Sequence, residues 1–165
     1  DLHTVNSSAA SDVYKRQEYH KGGQMSVVAQ LQPKIANGEA AVLFKSHRAG
    51  IPDGGQRRDF IWVGDCVDVM MWLRDSPAVN GLFNVGTGQA RSFADLATAI
   101  FAAADTAPRI TYVDTPEAIR DKYQYFTEAR MTRLRATGYP GQFTPLEEGV
   151  RRYVRDFLAT DDPYC

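Results

Sequence analysis

The sequence predicts an α/β fold in which short strands alternate with helices. Three observations carry that expectation. Apolar residues recur at helical spacing in residues 92–104 and 144–158, each run opened by a recognisable start signal. Brief apolar runs at 41–44 and 109–113 are too short for helices and read as strands. Glycine- and proline-rich connections, above all 45–56, separate the two kinds of segment. The strands are few and short for 165 residues, whereas a complete domain of this size buries well over half of its unfolded surface. The mismatch predicts a fragment whose main sheet is supplied by a missing half.

In chain order, residues 1–17 are polar and lack a sustained period, so they are expected to be a loose tail or a foreign leader. Residues 25–36 have helical spacing through Val28, Leu31 and Ile35, with Asn37-Gly38 as a stop. Pro33 requires either a late start or a kink costing about 3 kcal/mol. Strands are expected at 41–44 and over RRDFIWV (57–63). Asp65 is expected to cap a helix from Val67 to Arg74 with Val67, Met70, Met71 and Trp72 on its apolar face. A strand at 82–85 leads into Gly86-Thr87-Gly88.

Ser92 and Asp95 form a near capping box for a helix whose buried stripe is Phe93, Leu96, Ile100 and Phe101. A strand at 109–113, a helical turn at 116–122 and an extended stretch at 123–126 follow. Thr127 is expected to cap a helix ending at Gly138. In the last helix Thr144 is the expected cap and Pro145 the first helical residue, with Leu146, Val150, Tyr153, Val154 and Phe157 facing inward.

Composition narrows the function. Hydrophobic residues make up 44% and charged ones 24%, a globular mix that excludes disorder for most of the chain. Nineteen basic and 20 acidic side chains give a net charge of -1, which argues against a nucleic-acid partner. No apolar run approaches the roughly 18 residues of a membrane span. Cys66 and Cys165 cannot build a disulfide framework, and His3, His20 and His47 are too scattered for a zinc site. A reducing, cytoplasmic compartment fits this cysteine usage.

Four groups of residues can carry chemistry. Gly86-Thr87-Gly88 has the glycines of a phosphate-cradling turn, although a tight connection explains them more simply. Arg57-Arg58-Asp59 sets a guanidinium at a strand end, where it can grip a diphosphate; a surface ion pair with Asp59 or Asp65 is the competing reading. Tyr123, with Arg120 and Lys122 nearby, can add a hydroxyl to the same anion. Lys21, in His20-Lys21-Gly22-Gly23, becomes an acid or base near neutrality if desolvated, and is an ordinary solvated lysine otherwise.

RRDFIWVGDCVDVMMWL and GLFNVGTGQARSFADLA resemble the RDF-x-x-V-x-D-V and F-N-x-G-T-G-x-x-x-S-x-x-D-L-A elements of the extended short-chain dehydrogenase/reductase family that acts on nucleotide sugars, the NAD-dependent epimerases and dehydratases. EYHKG, NGE-x-x-x-LF and DKYQYFTEARMTRLRATGY are most similar to the branch that epimerises an ADP-linked heptose. The resemblance spans roughly residues 18–158.

It implies that residues 18–165 are the substrate-binding C-terminal portion of a Rossmann-type fold whose dinucleotide-binding sheet is missing. It further implies NADP-dependent interconversion of ADP-D-glycero-D-manno-heptose and ADP-L-glycero-D-manno-heptose, in cytoplasmic synthesis of a lipopolysaccharide core precursor. Hydride leaves C6 for the nicotinamide and returns to the other face, with a tyrosine and a lysine as acid and base. The lysine falls on Lys21, which also contacts the cofactor. Substrate contacts fall on Gly23, Gln30, Phe44, Lys45, Ser46, His47, Arg58 and Tyr123, in an enzyme expected to be a homo-oligomer. Gly23 and Gln30 stand where that branch carries Ser and His. A GxGxxG turn and a Tyr-x-x-x-Lys pair are absent from these residues, so the chain alone is expected to be inactive. Shared motifs leave open another nucleotide-sugar 4-epimerase or 4,6-dehydratase, or a non-catalytic nucleotide-sugar-binding module.

Overall fold

A computed structural model of the protein describes residues 25–160. Helix α1 spans Val27–Ala36, and the Ser26 hydroxyl accepts the Ala29 N–H at its start. Pro33 lies inside it, so the helix does not begin late. Burial of Ala29, Leu31 and Ile35 offsets the missing hydrogen bond. Gly38, at φ 79°, turns the chain into strand β1, Ala41–Phe44. β1 pairs in parallel with β4, Ile110–Val113, in the register Ala41↔Ile110 to Phe44↔Val113. Between them come β2 (Arg57–Arg58), α2 (Val63–Asp75), β3 (Arg91–Ser92) and α3 (Phe93–Ala103). After β4 follow α4 (Glu117–Arg120), α5 (Thr132–Ala136) and α6 (Leu146–Tyr153), the last widening into a π turn over Val154–Leu158.

Two apolar clusters hold these elements. The first joins Leu31 and Ile35 of α1, Ala41 and Leu43 of β1, and Leu96, Ile100 and Phe101 of α3 to Leu146, Val150 and Val154. Each fully buried Leu, Ile or Phe there contributes about 1.5–3 kcal/mol. The second joins Ile61, Cys66 and Val69 to Phe83, Val85, Met131 and Leu134. Phe60 packs on the first cluster and Ile61 belongs to the second, so the chain after β2 crosses from one to the other.

The α/β class stands, as do α3 with its complete Ser92–Asp95 capping box and the strand at 110–113. Several local expectations fail, each for a tertiary reason. The strand predicted over 57–63 is only two residues long: Asp59 turns inward to accept the Thr87, Gly88 and Ala129 N–H groups, and α2 begins at Val63. Asp65 does not cap that helix. It lies buried in the first turn and accepts the Thr144 N–H at 2.7 Å and the Thr144 hydroxyl at 2.8 Å. That bond turns the buried face of α2 to Val63, Cys66 and Val69, leaving Val67 and Met71 outside at 43% and 44% exposure. It also diverts Thr144 from capping α6, whose cap is Pro145. Residues 82–85 alternate inward and outward, with Phe83 and Val85 buried, but pair with no strand among the described residues. Thr127 caps no helix: its N–H donates to the Arg57 carbonyl, and the next helix waits until Thr132.

Burial, and the Asp65 carboxylate beside it, push the Cys66 thiol up to about 11. Near pH 8 it therefore stays protonated and sterically closed. Iodoacetamide is expected to leave Cys66 unmodified in the folded chain, as read by peptide mass spectrometry after a short exposure. Labelling at the rate of a free thiol would contradict the packing of the second cluster.

Candidate functional site

The described site is built where three extended segments meet. β2 pairs antiparallel with β3, placing Arg57 opposite Ser92 and Arg58 opposite Arg91. On the other side of β2, Arg57 bridges to Phe126: its N–H donates to the Tyr125 carbonyl at 2.9 Å, and its carbonyl accepts the Thr127 N–H at 3.2 Å. The middle segment carries Arg58. Phe93 follows β3 on one side, and Tyr123 precedes Phe126 on the other.

The Arg58 guanidinium lies between those two aromatics, 5.7 Å from the centroid of each ring. One of its N–H groups donates to the Arg57 carbonyl at 2.8 Å. Among the described residues no carboxylate pairs with it. Burial lowers its pKa, against the pull of the neighbouring Tyr123. Because an arginine stays charged at any working pH, a half-buried cation faces the site with most of its donors unspent. Burial raises the Tyr123 phenol; Arg58 opposes that shift and Tyr125 adds to it. Tyr123 therefore presents a protonated hydroxyl. Its ring meets Phe44 edge to face at 6.1 Å and Tyr125 at 5.7 Å.

The segment Phe44–His47 forms the adjoining wall. It leaves β1 by a path pinned from several sides. The buried Gln56 side chain donates to the carbonyls of Phe44 and Lys45 at 3.4 and 3.2 Å. The Ser46 N–H donates to Asp53, and Lys45 pairs with Asp114 at 3.3 Å near the surface. His47 ties the wall to the tyrosines: its N–H donates to the Tyr125 hydroxyl at 3.0 Å, while its Nε2 accepts the Thr115 N–H at 3.2 Å. Thr115, itself buried, returns its hydroxyl to the Lys45 carbonyl.

Contacts join Phe44, Arg58 and Tyr123 directly and His47 through Tyr125, whereas Lys45 pairs with Asp114 and Ser46 with Asp53. Gln30 is not joined to them by any of these contacts; on an exposed turn of α1 its amide donates to the Met25 carbonyl at 2.6 Å. Lys21 and Gly23 lie outside the described residues. The ion-pair reading of the RRD triplet is overturned, because Asp59 and Asp65 are buried and bond to backbone N–H groups and threonine hydroxyls. The phosphate-cradle reading of Gly86-Thr87-Gly88 is overturned too. The N–H groups of Thr87 and Gly88 donate to Asp59 at 2.8 and 2.9 Å and are spent. Sequence reasoning missed Phe93, which it gave to a buried stripe, and Tyr125, Gln56, Thr115 and Asp59, whose partners are all remote in sequence.

Residues 9–86 match the NAD dependent epimerase/dehydratase family. A curated relative from Nitratidesulfovibrio vulgaris (strain DP4), an ADP-L-glycero-D-manno-heptose-6-epimerase, is 52% identical over 153 residues, 93% of this chain and 47% of its own length. The chain therefore spans about half the length of the curated relatives it matches. In fold it is similar to the ADP-L-glycero-D-manno-heptose-6-epimerase of Helicobacter pylori, with TM-score 0.68 at 23% identity over 90% of this chain and 43% of that one. It is likewise similar to Thermus thermophilus UDP-glucose 4-epimerase in complex with NAD, with TM-score 0.65 at 25% identity over 81% of this chain and 40% of that one. No helix among the described residues is long and apolar enough to cross a membrane. Over residues 9–86 in sequence, and across the described residues in fold, the chain is similar to the NAD dependent epimerase/dehydratase family.

Proposed function

We propose that this chain is the substrate-binding part of a cytoplasmic ADP-L-glycero-D-manno-heptose 6-epimerase that uses NADP, and that its site grips the diphosphate of the sugar nucleotide. The observation that carries the reading is Arg58, a half-buried guanidinium held between Phe93 and Tyr123 without a carboxylate partner among the described residues. Such a cation is stabilised by an anion that accepts two parallel N–H groups, which a diphosphate does. The Tyr123 hydroxyl supports the grip by donating to a phosphate oxygen. Phe44 offers an aromatic edge beside it for a base or sugar face. The ADP-heptose assignment rests on the 52% identical relative of that name.

A nicotinamide dinucleotide supplies oxidation and reduction in the family that residues 9–86 match, but Gly86-Thr87-Gly88 does not fit it. The glycine turn that would be its natural cradle donates instead to Asp59. The proposal therefore places dinucleotide binding, and the acid/base Lys21, outside the described residues.

Turnover tests the reading. The chain joined to a dinucleotide-binding half is expected to interconvert the two C6 epimers of ADP-linked heptose, and the 165-residue chain alone is expected to convert none. Conversion of UDP-glucose in place of ADP-heptose would favour the 4-epimerase reading, which the likeness to the Thermus enzyme keeps in view. Turnover by the chain alone would refute the division of labour proposed here.

A further inference from the structure

We propose that Asp59 is a positioning residue, whose carboxylate fastens together the three segments that surround the anion site. Asp59 is 3% exposed and accepts four donors. One oxygen takes the Thr87 N–H at 2.8 Å together with the Thr87 hydroxyl. The other takes the Gly88 N–H at 2.9 Å and the Ala129 N–H at 3.0 Å. These partners lie on the two segments that flank β2. Thr87 and Gly88 lead through Ala90 to β3 and Phe93, while Ala129 follows Phe126 and Tyr123. Asp59 itself is next to Arg58. One carboxylate thus spans the strands that deliver the cation and both of its aromatic walls.

Neighbouring features follow from that fastening. A Cβ on Gly86 would collide with Asp59 Oδ2 and with the Ala129 side chain, so glycine is required there for close approach. Glu128 adds a second tie between the outer segments by accepting the Ala90 N–H at 2.8 Å. Charge-assisted bonds of this kind are shorter and stronger than neutral ones, and a buried carboxylate is retained only when its lone pairs are filled. The inference deepens the diphosphate reading, on which its binding consequence rests.

The test uses Asp59→Asn in the full 165-residue chain. The amide keeps one acceptor oxygen but turns an NH2 group toward two N–H or O–H donors, so half of the bonds are lost to donor–donor contact. Arg58 Hε, identified in NMR spectra by its disappearance in Arg58→Lys, is expected upfield in the unmodified chain because two rings flank it. In Asp59→Asn it moves toward the value of free arginine, while the methyl signals of Ile35 and Ile100 stay in place. The dissociation constant for ADP rises roughly tenfold, and in an Arg58→Ala background the same change adds nothing.

Thr87→Val, which removes the hydroxyl donor to Asp59 together with the acceptor of the Gln89 N–H, shifts Arg58 Hε in the same direction by less and serves if Asp59→Asn does not fold. An Arg58 signal unmoved in both variants would overturn the proposal, as would equal weakening of ADP with and without Arg58. If the unmodified chain fails to bind ADP, the diphosphate reading falls, and the Arg58 signal alone decides the role of Asp59.

Discussion

Replacing Lys21 with alanine is expected to slow epimerisation by about 10²–10⁴-fold in the enzyme that joins this chain to a dinucleotide-binding half, the range that loss of a general acid or base costs. Lysine suits the task only when desolvation pulls its pKa down from about 10.4 toward neutrality, because a fully hydrated ammonium is a poor base. A pH–rate profile separates chemistry from packing. The parent enzyme and Lys21→Ala are expected to differ in that profile as well as in rate, and Lys21→Arg, charged at every working pH, is expected not to restore the parent profile. Turnover within about threefold of the parent would leave Lys21 a solvated side chain and send the acid/base role elsewhere.

Arg58→Ala is expected to weaken ADP binding about 10–100-fold, as hydrogen bonds to a charged group that cannot be replaced by water in a half-buried site are lost. Arg58→Lys is expected to recover only part of it. An ammonium keeps the charge but has no plane to lie between Phe93 and Tyr123 and no fork to match two phosphate oxygens. Tyr123→Phe removes a single hydroxyl and keeps the ring, so its loss is smaller. Isothermal titration calorimetry at two salt concentrations checks all three, because the parent affinity falls with salt more steeply than that of Arg58→Ala. Equal affinities across the series would remove the diphosphate from this site.

Where a signal is local, the sequence was a sufficient guide. The Ser92–Asp95 capping box needs only four residues to declare α3, and it is complete in the structure. β1 and its Asn37-Gly38 approach are similarly written within a few positions. What escaped was everything decided by a distant partner. Asp59 and Asp65 look alike as surface carboxylates in sequence, yet each is buried by donors from remote segments: Thr87, Gly88 and Ala129 for one, Thr144 for the other. The inward face of α2 was misjudged for the same reason, since hydrophobicity alone cannot tell that an aspartate is the residue turned toward the core. At the candidate site, Arg58 and Tyr123 were legible as groups suited to an anion. Their enclosure was not, because Phe93 reaches Arg58 through strand pairing that no local period encodes.

The most direct measurement is a crystal structure of the chain with ADP bound. Phosphate oxygens are expected within hydrogen-bond reach of the Arg58 guanidinium, with the Phe93 and Tyr123 rings still packed against it. A nucleotide seated elsewhere while Arg58 faces only solvent would contradict the diphosphate reading.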